Sequence, residues 1–250
     1  MLKISIITVC YNSSKTILDT ITSVNNQSYK NIEHVFIDGL SSDNTLELIK
    51  LNSKKKKVII SEQDNGLYDA INKGVSIASG DVIGLLHSDD LLSSPDIISD
   101  LIEKIQSENL DAVYGDLQYV DKENTNKIIR YWKSCEFNPN LLRKGWMPAH
   151  PTLILKKEVY LKHGVFNKSF KIAADYDFMM RIFKDSSLKF GYLPKVVTKM
   201  RVGGASNRSV KNIIKKTKED YRAIRSNNIG GIITLLLKNT SKIKQFLIKT

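Results

Sequence analysis

The chain has 250 residues, 42% of them hydrophobic, and a formal net charge of +12. That length suits one large domain or two small ones with an ordinary core. It carries only two cysteines, Cys10 and Cys135, and no apolar run of about 18 residues, which excludes a disulfide scaffold, a cysteine metal cluster and a membrane span.

The first residues run directly into a strand pattern without a signal-peptide cleavage site, so a reducing cytosol is expected. Ile4 to Val9 reads as a buried strand. Asn12-Ser13-Ser14 offers helix caps, and Ile17, Ile21 and Val24 follow at helical spacing. Ile32 to Ile37 is a second strand, ending at Asp38-Gly39. Ser41 to Asn44 caps a short helix with Leu46, Leu48 and Ile49. Val58 to Ile60 is a third strand. After the turn Ser61–Gly66, one helix face is lined by Leu67, Ala70, Ile71, Gly74, Val75 and Ala78, and Gly80 ends it.

Val82 to Leu86 is a continuous apolar run, the signature of a strand covered on both faces. It stops at Asp89-Asp90. In open parallel sheets ligands sit beyond the carboxyl ends of the strands. A carboxylate pair there can hold a divalent cation against a diphosphate, or can simply cap the strand. Ser94-Pro95 predicts a helix start, with Ile97, Ile98, Leu101, Ile102 and Ile105 as its apolar face.

Strand–helix alternation through the first hundred residues predicts an α/β fold with a Rossmann-like, mostly parallel central sheet flanked by helices. Neither G-x-G-x-x-G nor G-x-x-x-x-G-K-[ST] occurs, so a nucleotide would be held by carboxylates and a metal. Beyond residue 110 short strands are expected at Ala112–Tyr114, Leu117–Val120 and Ile128–Tyr131, the last two forming a hairpin. Thr152–Leu155 and Val196–Val202 read as further strands. Helices are expected at Glu158–His163 and from Asp175-Tyr176-Asp177 onward.

The excess charge is confined to the last quarter. Residues 195–250 hold 14 Lys and Arg against Glu219 and Asp220, whereas residues 1–194 hold 24 charges of each sign. Lys211, Lys215, Lys216, Lys218, Arg222 and Arg225 lie among Ile213, Ile214, Tyr221 and Ile224, and Lys238, Lys242, Lys244 and Lys249 follow among further aliphatics. A basic amphipathic extension of this kind suits an anionic membrane surface; a pair of helices packed on the domain with solvated lysines is the alternative. Nucleic acid is not expected, because the first 194 residues are neutral and no aromatic-basic interleaving of a binding module is present.

Four blocks, in order, carry a family resemblance: Ser5-Ile-Ile-Thr-Val-Cys-Tyr-Asn12; Phe36-Ile-Asp-Gly through Ser42-Asp-Asn-Thr45; Asp64-Asn-Gly-Leu-Tyr-Asp-Ala-Ile-Asn-Lys-Gly74 through Ser79-Gly-Asp81 to Ser88-Asp-Asp90; and Ala173-Ala-Asp-Tyr-Asp-Phe-Met-Met-Arg181. Over roughly residues 3–205 the chain resembles the family 2 glycosyltransferases of the GT-A fold, particularly bacterial enzymes of cell-surface polysaccharide and lipopolysaccharide synthesis. The resemblance implies a GT-A domain over 1–205, with a nucleotide-sugar half (1–110) and an acceptor half (111–205), followed by the basic helical extension 206–250.

It implies an inverting transfer from a nucleotide-diphosphate sugar to a glycan or lipid-linked acceptor. Thr8 and Asp38 match positions that meet the base, and a carboxylate accepting uracil N3–H favours UDP. Asp64, Lys73 and Asp89 match donor-binding positions, and Asp90 the ligand of Mn²⁺ or Mg²⁺. His87 stands where relatives often carry Asp or Asn, so the acidic motif is incomplete. Asp175 matches the general base, with Ala174 where many relatives carry Glu. Trp146 and His150 fall near the expected acceptor cleft. Arg181 could steer Asp175 or a phosphate, and the loop around Gly204 could close over the donor. With the extension, the resemblance implies a cytoplasmic enzyme peripheral on the inner face of the membrane. A sugar-phosphate nucleotidyltransferase would use the same strand-end carboxylates but would need a Gly-rich basic loop near the N-terminus. A non-catalytic nucleotide-binding homologue would have lost Asp90 or Asp175.

Overall fold

The structure, a computed structural model, describes residues 1–203 and 210–241. Four strands, β1 (Ile4–Cys10), β2 (Ile32–Asp38), β3 (Lys56–Ser61) and β4 (Val82–Leu85), pair in parallel in the spatial order β3-β2-β1-β4. The crossovers are the helices α1 (Ile17–Asn25), α2 (Thr45–Asn52) and α3 (Leu67–Ile77). β1 and β2 are buried throughout, their aliphatic residues packed on both faces and their polar ones, Ser5, Thr8, Glu33, His34 and Asp38, buried with them.

Beyond β4 the sheet becomes mixed. A two-residue strand β5 (Leu91–Leu92), helix α4 (Ile97–Ser107), β6 (Ala112–Val120) and β7 (Ile128–Trp132) come next, then a short helix α5 (Asn140–Arg143). A 3₁₀ turn at His150–Thr152 leads into β8 (Ile154–Lys156) and α6 (Lys157–His163). Then follow α7 (Ala174–Phe183), β9 (Phe190–Arg201), α8 (Val210–Ser226) and α9 (Ile232–Ser241). The order continues β4-β8-β6-β9-β5, with β7 hairpinned onto β6. β4 meets β8 antiparallel, and β6 meets β9 in parallel.

Three expectations change. The two strands expected at 112–120 are one, and the strand expected from Val196 begins at Phe190. The cause is a shared irregularity: Tyr114 pairs with Tyr192 but Asp116 with Val196, so Leu193–Lys195 bulges opposite Gly115. A Cβ on Gly115 would lie 2.7 Å from the Lys195 carbonyl, and only glycine fits there. Helix α4 starts at Ile97, not at Pro95, because the Ser94 carbonyl accepts the Gln27 side chain (2.8 Å) and the Pro95 carbonyl accepts the Ser28 N–H (2.9 Å).

Both sheet faces are covered. α3, α6 and α7 close one face, and α4 the other. Ala223 and Ile224 of α8 and Leu235 of α9 belong to the same cluster as α3 and α7. The inner side of the C-terminal helical pair is therefore part of the core. No helix among the described residues is long and apolar enough to cross a membrane.

Candidate active site

The loop His87–Asp90 leaves β4 where β1 flanks it on one side and antiparallel β8 on the other, the point at which an open sheet forms a crevice. Its main chain is pinned. Thr20 donates to the Asp90 carbonyl (2.8 Å), and Arg201 donates to the Asp89 carbonyl (2.7 Å) while pairing with Asp19. Asp90 is 1% exposed, and among the described residues neither carboxylate oxygen has a partner at full hydrogen-bond geometry, the Arg201 backbone and charge being the opposing influence. Burial, then the charge of Asp89, pushes this carboxyl well above the ordinary range.

A poorly partnered buried carboxylate is costly, and a cation would relieve it. Among the described residues no three His, Cys, Asp or Glu side chains are grouped to hold a metal. Asp90, beside half-buried Asp89, therefore fits a cation held by one or two carboxylates and completed by substrate phosphates, a usual mode for Mg²⁺.

Across the crevice, Asp175 opens α7. His150 Nδ1 lies 3.2 Å from Asp175 Oδ2, and the Tyr68 hydroxyl lies 3.2 Å from Oδ1 and 2.7 Å from the Ile172 carbonyl. Burial alone would raise the Asp175 carboxyl. The hydrogen bond and charge of His150, with lesser help from Lys238 and the Tyr176 N–H, reverse this and hold it well below the usual carboxylate range. His150 Nε2 lies 3.2 Å from His87 Nε2. Burial, then the charge of His150, lowers His87 to about 3, so its ring is neutral at neutral pH. His87 thus faces His150, giving a line His87–His150–Asp175–Tyr68 through the cleft. Burial raises the Tyr119 phenol on β6; Arg130 opposes this, and the charges of Asp90 and Asp175 add to it.

Several expected donor residues have partners within the protein. Thr8 is fully buried two residues inside β1, which runs on to Cys10, and its hydroxyl lies 2.9 Å from His34 Nε2. Asp38 is also fully buried. Its carboxylate accepts the Ser61 hydroxyl (2.7 Å), the Ser41 N–H (3.0 Å) and the Ser41 hydroxyl, so it ties the ends of β2 and β3 together. Asp64 accepts the Gly66 N–H (2.8 Å), and its Oδ2 would meet a Cβ on Gly39 at 2.6 Å, so it borders the open strand ends. Lys73 pairs with Glu62 and donates to the Gln63 carbonyl, both at 2.8 Å, which fastens the loop between β3 and α3.

On the acceptor side, Trp146 is half-buried and packs its ring against Tyr114, Phe137 and Phe183 at the edge of the core. Arg181 lies six residues along α7 from Asp175, off its face of the helix. It donates to the His163 (2.6 Å) and Val165 (2.9 Å) carbonyls and steers no catalytic group. Gly204 lies outside the described residues.

Sequence reasoning assigned no role to Thr20, Arg201 or Tyr68. It also missed Glu219 of α8, which accepts the N–H groups of Lys171 (3.0 Å), Ile172 (2.8 Å) and Ala173 (3.0 Å) at the entry to α7. No local pattern marks these residues, since each acts on a segment at least 46 positions away.

Comparison with known proteins follows this geometry. The family model described as Glycosyl transferase family 2 matches residues 5–168. A PGL/p-HBAD biosynthesis glycosyltransferase of Mycobacterium bovis is 29% identical over 208 residues, covering 81% of this chain and 78% of its own. An uncharacterized glycosyltransferase of Mycobacterium tuberculosis is 30% identical over 180 residues, covering 71% and 68%.

Among solved structures, S. aureus TarS 1–349 in complex with UDP-GlcNAc matches with a TM-score of 0.71 at 18% identity, over 91% of this chain and 66% of that one. Against a longer TarS structure the match spans 40% of that chain. The mannosyltransferase PcManGT from Pyrobaculum calidifontis, in complex with GDP-Man and Mn²⁺, matches with a TM-score of 0.64 at 15% identity, over 100% and 76%. The architecture described above is the GT-A fold of these structures.

Proposed function

We propose that this chain, which belongs to glycosyl transferase family 2, is an inverting, divalent-metal-dependent hexosyltransferase that uses a UDP-sugar. The observation that carries the proposal is the contact chain from the β4-end loop to α7, His87 Nε2–His150 Nε2 and His150 Nδ1–Asp175 Oδ2, each at 3.2 Å, which supports one hollow with a diphosphate-side carboxylate, Asp90, and a base-side carboxylate, Asp175.

Asp175 takes the proton of an acceptor hydroxyl while that oxygen attacks the anomeric carbon. The bond from that carbon to the diphosphate oxygen breaks, and the nucleoside diphosphate leaves from the opposite face. The transition state resembles that of glycoside hydrolysis. His150 keeps Asp175 ionised and aimed, and Tyr68 fixes its other oxygen. Asp90, with Asp89 beside it, holds Mn²⁺ or Mg²⁺, which when bound supplies positive charge to the departing diphosphate. Asp64 borders the donor, while Asp38 and Lys73 serve it indirectly by fixing the strand-end loops.

The division into a donor half (1–110), an acceptor half (111–205) and a helical extension (206–250) belongs to the same reading. So does an acceptor that is a glycan or lipid-linked sugar of surface-polysaccharide synthesis. The outward face of α9 supports a peripheral site on the anionic inner leaflet: Ile232, Ile233, Leu236 and Leu237 are 43–72% exposed on one side of the helix, and Lys211, Lys215 and Lys218 are exposed on α8.

A panel of nucleotide sugars, assayed for Mn²⁺- or Mg²⁺-dependent UDP release, tests the reading. Asp90→Ala should lose turnover and bind donor poorly, whereas Asp175→Asn should lose turnover and still bind donor. Full turnover in either variant sinks it.

A further inference from the structure

The basic C-terminal quarter holds a cluster of buried, connected charges outside the cleft, Glu219, Asp220 and Lys238, which face α7, the helix that carries Asp175. Glu219, 8% exposed, gathers the three N–H groups that lead into α7. Those groups precede the first turn and have no partner within the helix. One residue on, Asp220 is 1% exposed and pairs with Lys216 and Lys238, each at 2.6 Å. Lys238 arrives from α9, is 3% exposed, and sets its ammonium 3.4 Å from the ring centroid of Tyr176, the neighbour of Asp175. Asn227 donates to Asp177 (2.9 Å), and Arg222 lies 4.0 Å over the Phe170 ring. The loop at Gly145 is shaped to receive α9, since a Cβ there would lie 2.8 Å from the Thr234 carbonyl.

We propose that the α8–α9 pair is a positioning device for Asp175, in which Glu219 fixes the entry to α7 and Lys238 holds a buried positive charge behind it. The inference rests on Asp175 being the base, and it gives the extension a part in catalysis separate from any surface it docks on. An amphipathic tail that served only as an anchor would keep its lysines solvated; Lys238 is buried and ion-paired instead. Its charge acts on Asp175 in the direction the geometry requires, favouring the carboxylate. Neither Glu219 nor Lys238 touches the expected position of a reacting atom, so both are positioning residues.

The test uses the full chain and needs no known acceptor. The Asp175 carboxyl carbon is followed by ¹³C NMR as pH is lowered, with Asp175→Asn giving the assignment. In the wild type Asp175 stays ionised to the bottom of the accessible range. In Lys238→Met its titration moves up by about one pH unit or more, and Lys238→Arg restores it. Because Lys238→Met removes one of Asp220's two cations, the charge-balanced Asp220→Asn/Lys238→Met variant is run beside it and shows the same shift. Glu219→Gln speeds amide exchange at Lys171–Ala173 by about tenfold or more without changing the global melt.

An unchanged Asp175 titration in the folded double variant overturns the inference, as does unchanged exchange at Lys171–Ala173. Failure of the base assignment reads separately: it appears as full turnover in Asp175→Asn while the titration shifts remain.

Discussion

His150 Nδ1 and Asp175 Oδ2 meet at 3.2 Å, and this contact decides the ionisation of the proposed base. Burial pulls the Asp175 carboxyl upward, and the hydrogen bond and charge of His150, with lesser help from Lys238 and the Tyr176 N–H, more than reverse it. Because the folded value lies below the usual carboxylate range, the contact stabilises the fold above the unfolded value and loses that contribution as pH falls through the folded one. Across neutral pH Asp175 is therefore a carboxylate. Replacing His150 by Ala leaves burial to dominate. The acid limb of kcat/KM should move up by roughly two pH units, with the donor KM little changed. A profile identical to that of the wild type would show that His150 does not set the base.

Asp90 poses the opposite case. Among the described residues its buried carboxylate has no partner at full hydrogen-bond geometry, and Arg201 offsets burial only in part, so the free protein carries the cost of a poorly relieved polar group. Asp90→Asn should leave the melting temperature without cation unchanged or higher. It should also abolish the rise that Mn²⁺ with UDP produces in the wild type, since a ligand bound only to the folded state stabilises by mass action. Differential scanning calorimetry with and without Mn²⁺ and UDP reads both effects. An undiminished rise in the variant would remove Asp90 from the metal site.

Much of the donor half was legible because its signals are local. The continuous apolar run Val82–Leu86 reads as a strand covered on both faces, and the helices between the strands announce themselves by spacing. Asp90 and Asp175 were legible for the same reason, one past a strand end and the other at a helix start. Side-chain direction was not. The sequence puts Asp38 at a strand end but cannot say that Ser41 and Ser61 turn its carboxylate inward. The Leu193–Lys195 bulge escaped because Pro194 reads as a strand breaker, and only the partner's Gly115 allows the strand to continue through it. His150 and Glu219 lie 25 and 44 positions from Asp175, so folding alone brings them to it.

Trp146 offers a check on its place at the edge of the core. Its ring contacts are the core aromatics Tyr114, Phe137 and Phe183. Trp146→Ala should cost roughly 3 kcal/mol of stability in urea unfolding, in line with other large-to-small core changes. Trp146→Phe should cost much less, and neither change should alter donor KM in the protein that remains folded. A marked rise in acceptor KM for Trp146→Phe, with unchanged stability, would return Trp146 to the acceptor cleft.

The two faces of α9 should separate experimentally. Thr234, Leu235 and Lys238 point into the domain, whereas Ile232, Ile233, Leu236 and Leu237 point outward. An outward aliphatic face beside exposed lysines binds lipid through apolar burial plus attraction to anionic head groups, and only the second part is screened by salt. Wild-type protein should therefore co-sediment with vesicles containing phosphatidylglycerol, and less so as salt is raised. It should bind phosphatidylcholine vesicles weakly. Ile233→Glu with Leu236→Glu should abolish vesicle binding while leaving the melting temperature and turnover on a soluble acceptor near the wild-type values, because neither side chain is buried. Equal binding to both vesicle types, or vesicle binding undiminished in the double variant, would assign that face to another partner.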